Sequence, residues 1–152
     1  MDIGSEGSGF TALELMIVVG VFAALAAGAV LGWARLEPVF RLDAATHALA
    51  ADLHDARVLA IASAARARLV FTGGATSYRI EQADDTGAFH LATVRTLPRG
   101  VRVAGANSGG DLVFSPRGTT ENGTVVLIDR RGLRATLRLN QRGRVTIERG
   151  RT

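Results

Sequence analysis

The stretch Gly9–Ala34, GFTALELMIVVGVFAALAAGAVLGWA, decides how the rest of the chain is read. Glu14 carries its only charge, and from Leu15 to Ala34 no charged residue occurs. About 20 apolar residues in helical form cover about 30 Å, the hydrocarbon thickness of a bilayer. Trp33 and Arg35 close the run, as an interfacial aromatic and a charge would. A core helix of a soluble protein is rarely uncharged for so long. A secretory signal would have a basic start, a shorter apolar region and a small-residue exit. Here the preceding residues, MDIGSEGSG, hold Asp2 and Glu6 and no base. The run reads as a membrane-spanning helix.

Within it, small residues recur at every fourth position: Gly20, Ala24, Gly28 and Gly32. Positions four apart share one helix face, and small side chains there let a second helix approach closely. The stripe is expected to be a helix-packing face. Glu14 sits one residue before the uncharged run. A carboxylate at the edge of a membrane helix is expensive without a partner, and no base lies near it in sequence. Either another chain supplies the partner or the carboxylate stays in the headgroup layer.

Beyond the run, Pro38 predicts a break or kink near Glu37, since its ring and missing N–H disfavour a straight helix. A second, amphipathic helix is expected over 39–66. Val39, Leu42, Thr46, Leu49, Leu53, Ala56 and Ala60 recur at three or four residues, with Asp43, Asp52, Asp55 and Arg57 largely off that stripe. After Gly73-Gly74 the texture changes to short β-type runs separated by turn residues such as Pro98-Arg99-Gly100, Ser115-Pro116-Arg117-Gly118 and Asn122-Gly123. The eight expected strands are 68–71, 77–82, 89–97, 101–103, 112–114, 124–128, 133–140 and 144–149. The fold class is therefore α+β, a long N-terminal helix followed by an antiparallel sheet.

The last hairpin is the clearest. Ala135, Leu137 and Leu139 alternate with Arg134, Thr136, Arg138 and Asn140. After a turn at Gln141-Arg142-Gly143, Val145 and Ile147 alternate with Arg144, Thr146 and Glu148. Successive strand side chains point to opposite faces, so one face is apolar and the other carries Arg134, Arg138 and Arg144, with Arg142 at the turn. A one-signed face attracts phosphates, DNA among them, in a salt-dependent way. The alternative is a solvated face in a chain biased toward arginine, because all 18 of its basic residues are Arg.

Composition excludes several chemistries. With no Cys there is no disulfide, thiolate nucleophile or thiolate metal site, and with no Lys there is no Schiff base or P-loop lysine. His47 and His54 lie two helical turns apart, about 10 Å, too far to share one metal. His90 stands by itself on a strand, and Ser115 lies in no nucleophile elbow. The residues assemble no catalytic site and imply no cofactor or metal.

Gly9-Phe10-Thr11-Ala12-Leu13-Glu14 followed by the apolar run resembles the type IV prepilin signature. The resemblance implies that a prepilin peptidase cuts between Gly9 and Phe10, that Phe10 is N-methylated, and that Glu14 neutralises the terminal amine of a neighbouring subunit. The later pattern also resembles the GspH/FimT group of minor pseudopilins and minor pilins. It comprises a helix ending in an Arg/Ala-rich turn, strands, Leu112-Val113-Phe114-Ser115-Pro116-Arg117-Gly118, and a last hairpin with Gly143-Arg144. That resemblance implies a type IV pilin-like fold with three parts: a leader over 1–9, a transmembrane and filament-core helix over 10–37, and a periplasmic head over 38–152. Within the head it implies an amphipathic helix over 39–66 and a sheet over 68–149. It implies a structural filament component rather than an enzyme, held by a single pass in the bacterial inner membrane, with other pseudopilins or pilins as partners. The expected role is that of a minor pseudopilin of type II secretion; the alternative is a minor type IV pilin active in pilus assembly or DNA uptake. One feature departs from the family pattern: the leader is acidic where prepilin leaders are basic, and a start upstream of Met1 would account for it.

Overall fold

A computed structural model describes residues 11–151. The chain forms two compact units, one ending at Glu37 and the other beginning at Pro38. A single helix, α1 (Ala12–Ala62), supplies the described part of the first and the opening of the second. The expected break at Pro38 does not occur, since α1 is continuous over its 51 residues. One proline removes one backbone donor and crowds one carbonyl, and the helical ladder resumes on either side.

In the first unit, Ala12–Val30 forms a 19-residue segment long and apolar enough to cross a membrane, and none of it is buried. Leu13, Met16, Phe22, Leu25 and Val30 are all more than 60% exposed. So much uncovered apolar surface demands a non-aqueous environment or another chain.

The second unit is the head. After α1 come β1 (Ala67–Phe71), β2 (Ser77–Ala83), β3 (Phe89–Thr96), β4 (Arg102–Ala106), β5 (Asp111–Phe114), β6 (Gly123–Ile128), β7 (Leu133–Leu139) and β8 (Val145–Arg151). All eight expected strands are present, shifted by a few residues at their ends. They form two four-stranded antiparallel sheets, ordered β3-β2-β1-β5 and β4-β6-β7-β8, where one sheet was expected. The chain changes sheet between β3 and β4, returns for β5, and leaves again at β6, so short-range patterns could not assign the strands to sheets. The sheets meet where Gly74 N donates to Val103 O (2.8 Å) and Val103 N to Ala75 O (2.9 Å).

The helix ends at Ala62, short of the expected Arg66. Ala64 takes φ +50°, the left-handed conformation that closes many helices, and Ser63 Oγ caps the Leu59 carbonyl at 2.7 Å. Of the expected helical stripe, Leu42, Thr46, Leu49, Leu53, Ala56 and Ala60 are all buried. The apolar members of that stripe join one core with Leu69, Phe71, Ile80 and Phe114 of the first sheet and Val103, Val125, Leu127 and Leu137 of the second. The helix thus seals both sheets against itself.

Candidate functional site

The first surface to consider is the start of α1. Gly9 and Phe10 lie outside the described residues. Thr11 stands at the helix N-terminus, and its Oγ1 accepts from Glu14 N at 3.2 Å. In return Glu14 Oε2 accepts from Thr11 N and from the Thr11 hydroxyl, both at 3.4 Å. This reciprocal pair is a capping box, which satisfies donors that a helix start leaves orphaned. It holds the Glu14 carboxylate at the N-terminal end of the helix. Gly20, Ala24, Gly28 and Gly32 are exposed, and a Cβ added at Gly20, Gly28 or Gly32 would meet nothing within 4 Å.

The last hairpin is the second surface. Leu137 pairs with Ile147 and Leu139 with Val145, which keeps the apolar alternation in register. Ala135, Leu137 and Leu139 are buried, while Arg134, Arg138, Arg142 and Arg144 are exposed. Asn140 shapes the turn: its Oδ1 accepts from Arg142 N (3.1 Å) and Arg144 N (2.9 Å), and Gly143 at φ +74° completes it. Arg138 is held by Glu148, Nε to Oε2 at 3.1 Å, which lowers the net charge of the face. Arg149 belongs to the other side of β8. It pairs with Ala135, whose side chain is inward, and forms an ion pair with Asp43 on α1. Strand alternation thus turns Arg149 away from the exposed arginines and toward the helix.

Two ionisable groups acquire partners that spacing did not single out. Asp52, expected off the packing stripe, is 7% exposed. Tyr78 donates its hydroxyl to Asp52 Oδ2 at 2.5 Å, and Arg95 Nε lies 3.2 Å from the same oxygen. Burial, then the hydrogen bond and charge of Asp52, push the Tyr78 phenol well above its ordinary range. The signal was present: Asp52 is three residues after Leu49 and four before Ala56, so helical spacing alone puts it on the buried face. His90, which the sequence left isolated, contacts Asp84 at 2.6 Å, Nε2 to Oδ2. The Thr86 hydroxyl, then His90, hold the exposed Asp84 carboxyl far below the usual carboxylate range.

The family described as Type II transport protein GspH matches residues 45–148, well over half of the chain. The chain belongs to the GspH family. Its fold matches the minor pseudopilin EpsH from the type 2 secretion system of Vibrio cholerae with a TM-score of 0.61, at 11% identity over 72% of this chain and 97% of that one. A second EpsH structure gives 0.59, at 11% identity over 74% and 96%. The type IV minor pilin FimU of Pseudomonas aeruginosa gives 0.58, at 19% identity over 76% and 91%. No curated protein matches. The GspH match begins at Ala45, so it covers the head with its arginine hairpin and leaves the Glu14 region to be read from its own residues.

Proposed function

We propose that the chain is a minor pseudopilin, a structural component of a type II secretion pseudopilus. The observation that carries this is a GspH-family head on the same chain as a 19-residue apolar helix with no buried residue. A helix so exposed is suited first to the inner membrane, with the head in the periplasm, and then to a filament core formed with other pseudopilins. In this reading residues 1–9 are removed by a prepilin peptidase and Phe10 is N-methylated. The chain over 10–37 spans and packs through Gly20, Ala24, Gly28 and Gly32, and 38–152 is the head. Glu14 then faces the terminal amine of a neighbouring subunit. The capping box supports this, because it orients the carboxylate toward the chain start. The role is assembly, not catalysis.

The test is the N-terminus of the mature chain in a host with active prepilin peptidase. Mass spectrometry is expected to find N-methyl-Phe10, and an intact Met1 would sink the processing step. Glu14→Ala is expected to be cut normally yet to enter filaments poorly, because a desolvated amine would lose its partner. Normal incorporation would mean that Glu14 serves only as a helix cap.

A second reading, a minor type IV pilin that contacts DNA, is favoured by the exposed Arg134, Arg138, Arg142 and Arg144 and by the likeness to FimU. Phosphate contacts of this kind carry no sequence information, and affinity should fall with salt at a log–log slope of about −0.9 per phosphate neutralised. Replacing the four arginines by Gln should flatten that slope. Absence of salt-dependent binding by the unaltered protein would leave the secretion reading alone.

A further inference from the structure

The strand β3 ends the first sheet on one side, and among the described residues no strand pairs with its outer edge. It is eight residues long and holds neither Pro nor Lys, two residues that commonly blunt such an edge. Its main chain can be followed inward from both ends. At one end Asp84 N donates to Ala88 O (2.9 Å), and at the other Leu97 N donates to Thr76 O (2.8 Å), so Ala88 and Leu97 both face β2. Backbone groups of an antiparallel strand alternate between its two sides. Counted from Ala88 and from Leu97, the N–H and C=O of Phe89, Leu91, Val94 and Thr96 therefore face the open edge. Between the two counts the ladder slips. Thr93 pairs with Ile80 and Leu91 with Glu81, which leaves Ala92 as the extra residue of a bulge. Leu91 stands opposite Glu81 and Val94 opposite Arg79, two positions apart on β2, so both apolar side chains share one face. On a regular strand, residues three apart would point to opposite faces. Leu91 is 58% exposed and Val94 50%.

We propose that this edge pairs with the same edge of a second copy, β3 antiparallel to β3 about a two-fold axis between Ala92 and Thr93. Unpaired N–H and C=O groups in a row call for an extended backbone, and the order of these groups selects its source. Leu91 and Val94 lie equally far from the axis on its two sides, and so do Phe89 and Thr96. Two-fold pairing therefore sets Leu91 against Val94 of the second copy and Phe89 against Thr96 of the second copy. Every one of these residues directs its backbone groups to the open edge, so each pair exchanges two main-chain hydrogen bonds. Leu91 and Val94, exposed in the single head, cover each other across the axis. The charges do not oppose this register. His90 falls opposite Arg95 of the second copy, but His90 is engaged by Asp84 (2.6 Å) and Arg95 by Asp52 (3.2 Å). Pairing joins two four-stranded sheets into one and covers an edge that would otherwise template other extended chains. The contact lies wholly within the head and does not depend on the secretion reading.

The experiment follows the full chain in detergent, with micelles in excess, by sedimentation equilibrium. A concentration-dependent dimer is expected, and a chain that stays monomeric to about 1 mM would overturn the proposal, since that excludes even weak association. Val94→Pro removes a donor from the open edge and none from the ladder with β2. It is expected to weaken the dimer severalfold with unaltered circular dichroism. A dimer that persists undiminished in Val94→Pro but is lost in Gly28→Leu would overturn the proposal and assign association to α1. Exchange of charge across the axis tests the register without relying on proline. Leu91→Glu and Val94→Arg should each weaken self-association. Mixing the two variants should restore a dimer, because the acidic side chain of one copy then faces the basic side chain of the other. A mixture no more associated than either variant by itself would overturn the two-fold pairing of β3.

Discussion

Leu49→Ala probes the joint between helix and sheets most directly. Leu49 is 0% exposed and belongs to the single core that α1 shares with both sheets. Truncation to Ala removes three carbon groups from that core. At about 0.8 kcal/mol per buried methylene the transfer term alone is about 2.4 kcal/mol. The walls around Leu49 are helix backbone on one side and two sheets on the other, so they cannot close fully, and the residual cavity carries the total toward about 3–4 kcal/mol. For a domain of roughly this size each kcal/mol shifts the midpoint by about 4 °C, which gives a fall of about 12–16 °C. The assay is thermal unfolding of a head-only chain beginning at Val39, followed by far-ultraviolet circular dichroism. That chain is expected to fold without detergent, because the compact unit begins at Pro38. Val58→Ala on the same helix, 49% exposed, serves as the comparison and should change stability by less than about 0.5 kcal/mol. Equal effects at the two positions would refute the assignment of the buried face.

Two further predictions follow from local geometry. Ala64→Gly should stabilise the head by up to about 1 kcal/mol, since a left-handed residue with a Cβ costs roughly 1–2 kcal/mol and the added freedom of Gly in the unfolded chain offsets part of that gain. A loss of stability in urea titration would show that φ +50° at Ala64 does not terminate the helix. Tyr78, whose phenol is raised in the folded head, contributes stability that is complete below its ordinary value of 10.0 and declines as pH rises above it. The unfolded chain ionises first there, so alkaline pH should destabilise the native protein, and Tyr78→Phe should flatten the dependence above that point. An unchanged alkaline slope in the variant would remove Tyr78 from the account.

Elements whose partners lie in the same chain segment were legible in the sequence. The apolar run from Leu15 to Ala34, the stripe Leu42-Thr46-Leu49-Leu53-Ala56-Ala60 and the alternation Ala135-Leu137-Leu139 depend only on helical or strand period, and the structure carries each as expected. The number of strands was legible too, because Gly, Pro and Asn mark the turns between them. Their division into two sheets was not, since β5 leaves its sequence neighbours to pair with β1, and β4 pairs with β6. Such pairings are decided by which arrangement lets one helix cover both apolar faces, a property of the folded whole.

The same division holds for the surfaces. Spacing placed Arg134, Arg138, Arg142 and Arg144 on the solvent face of one hairpin, since alternation is a local rule. Only the tertiary structure showed that Arg149 turns to Asp43, that Asp52 is held between Tyr78 and Arg95, and that Arg41, Arg99, Arg130 and Arg131 share one cavity. The residues of that cavity lie up to 90 positions apart, from Arg41 to Arg131, and no periodicity acts over such a distance. A sequence records which side chains can face the same way along one element. Which elements come together is set by burial of the shared core, and the charges at their ends meet as a consequence.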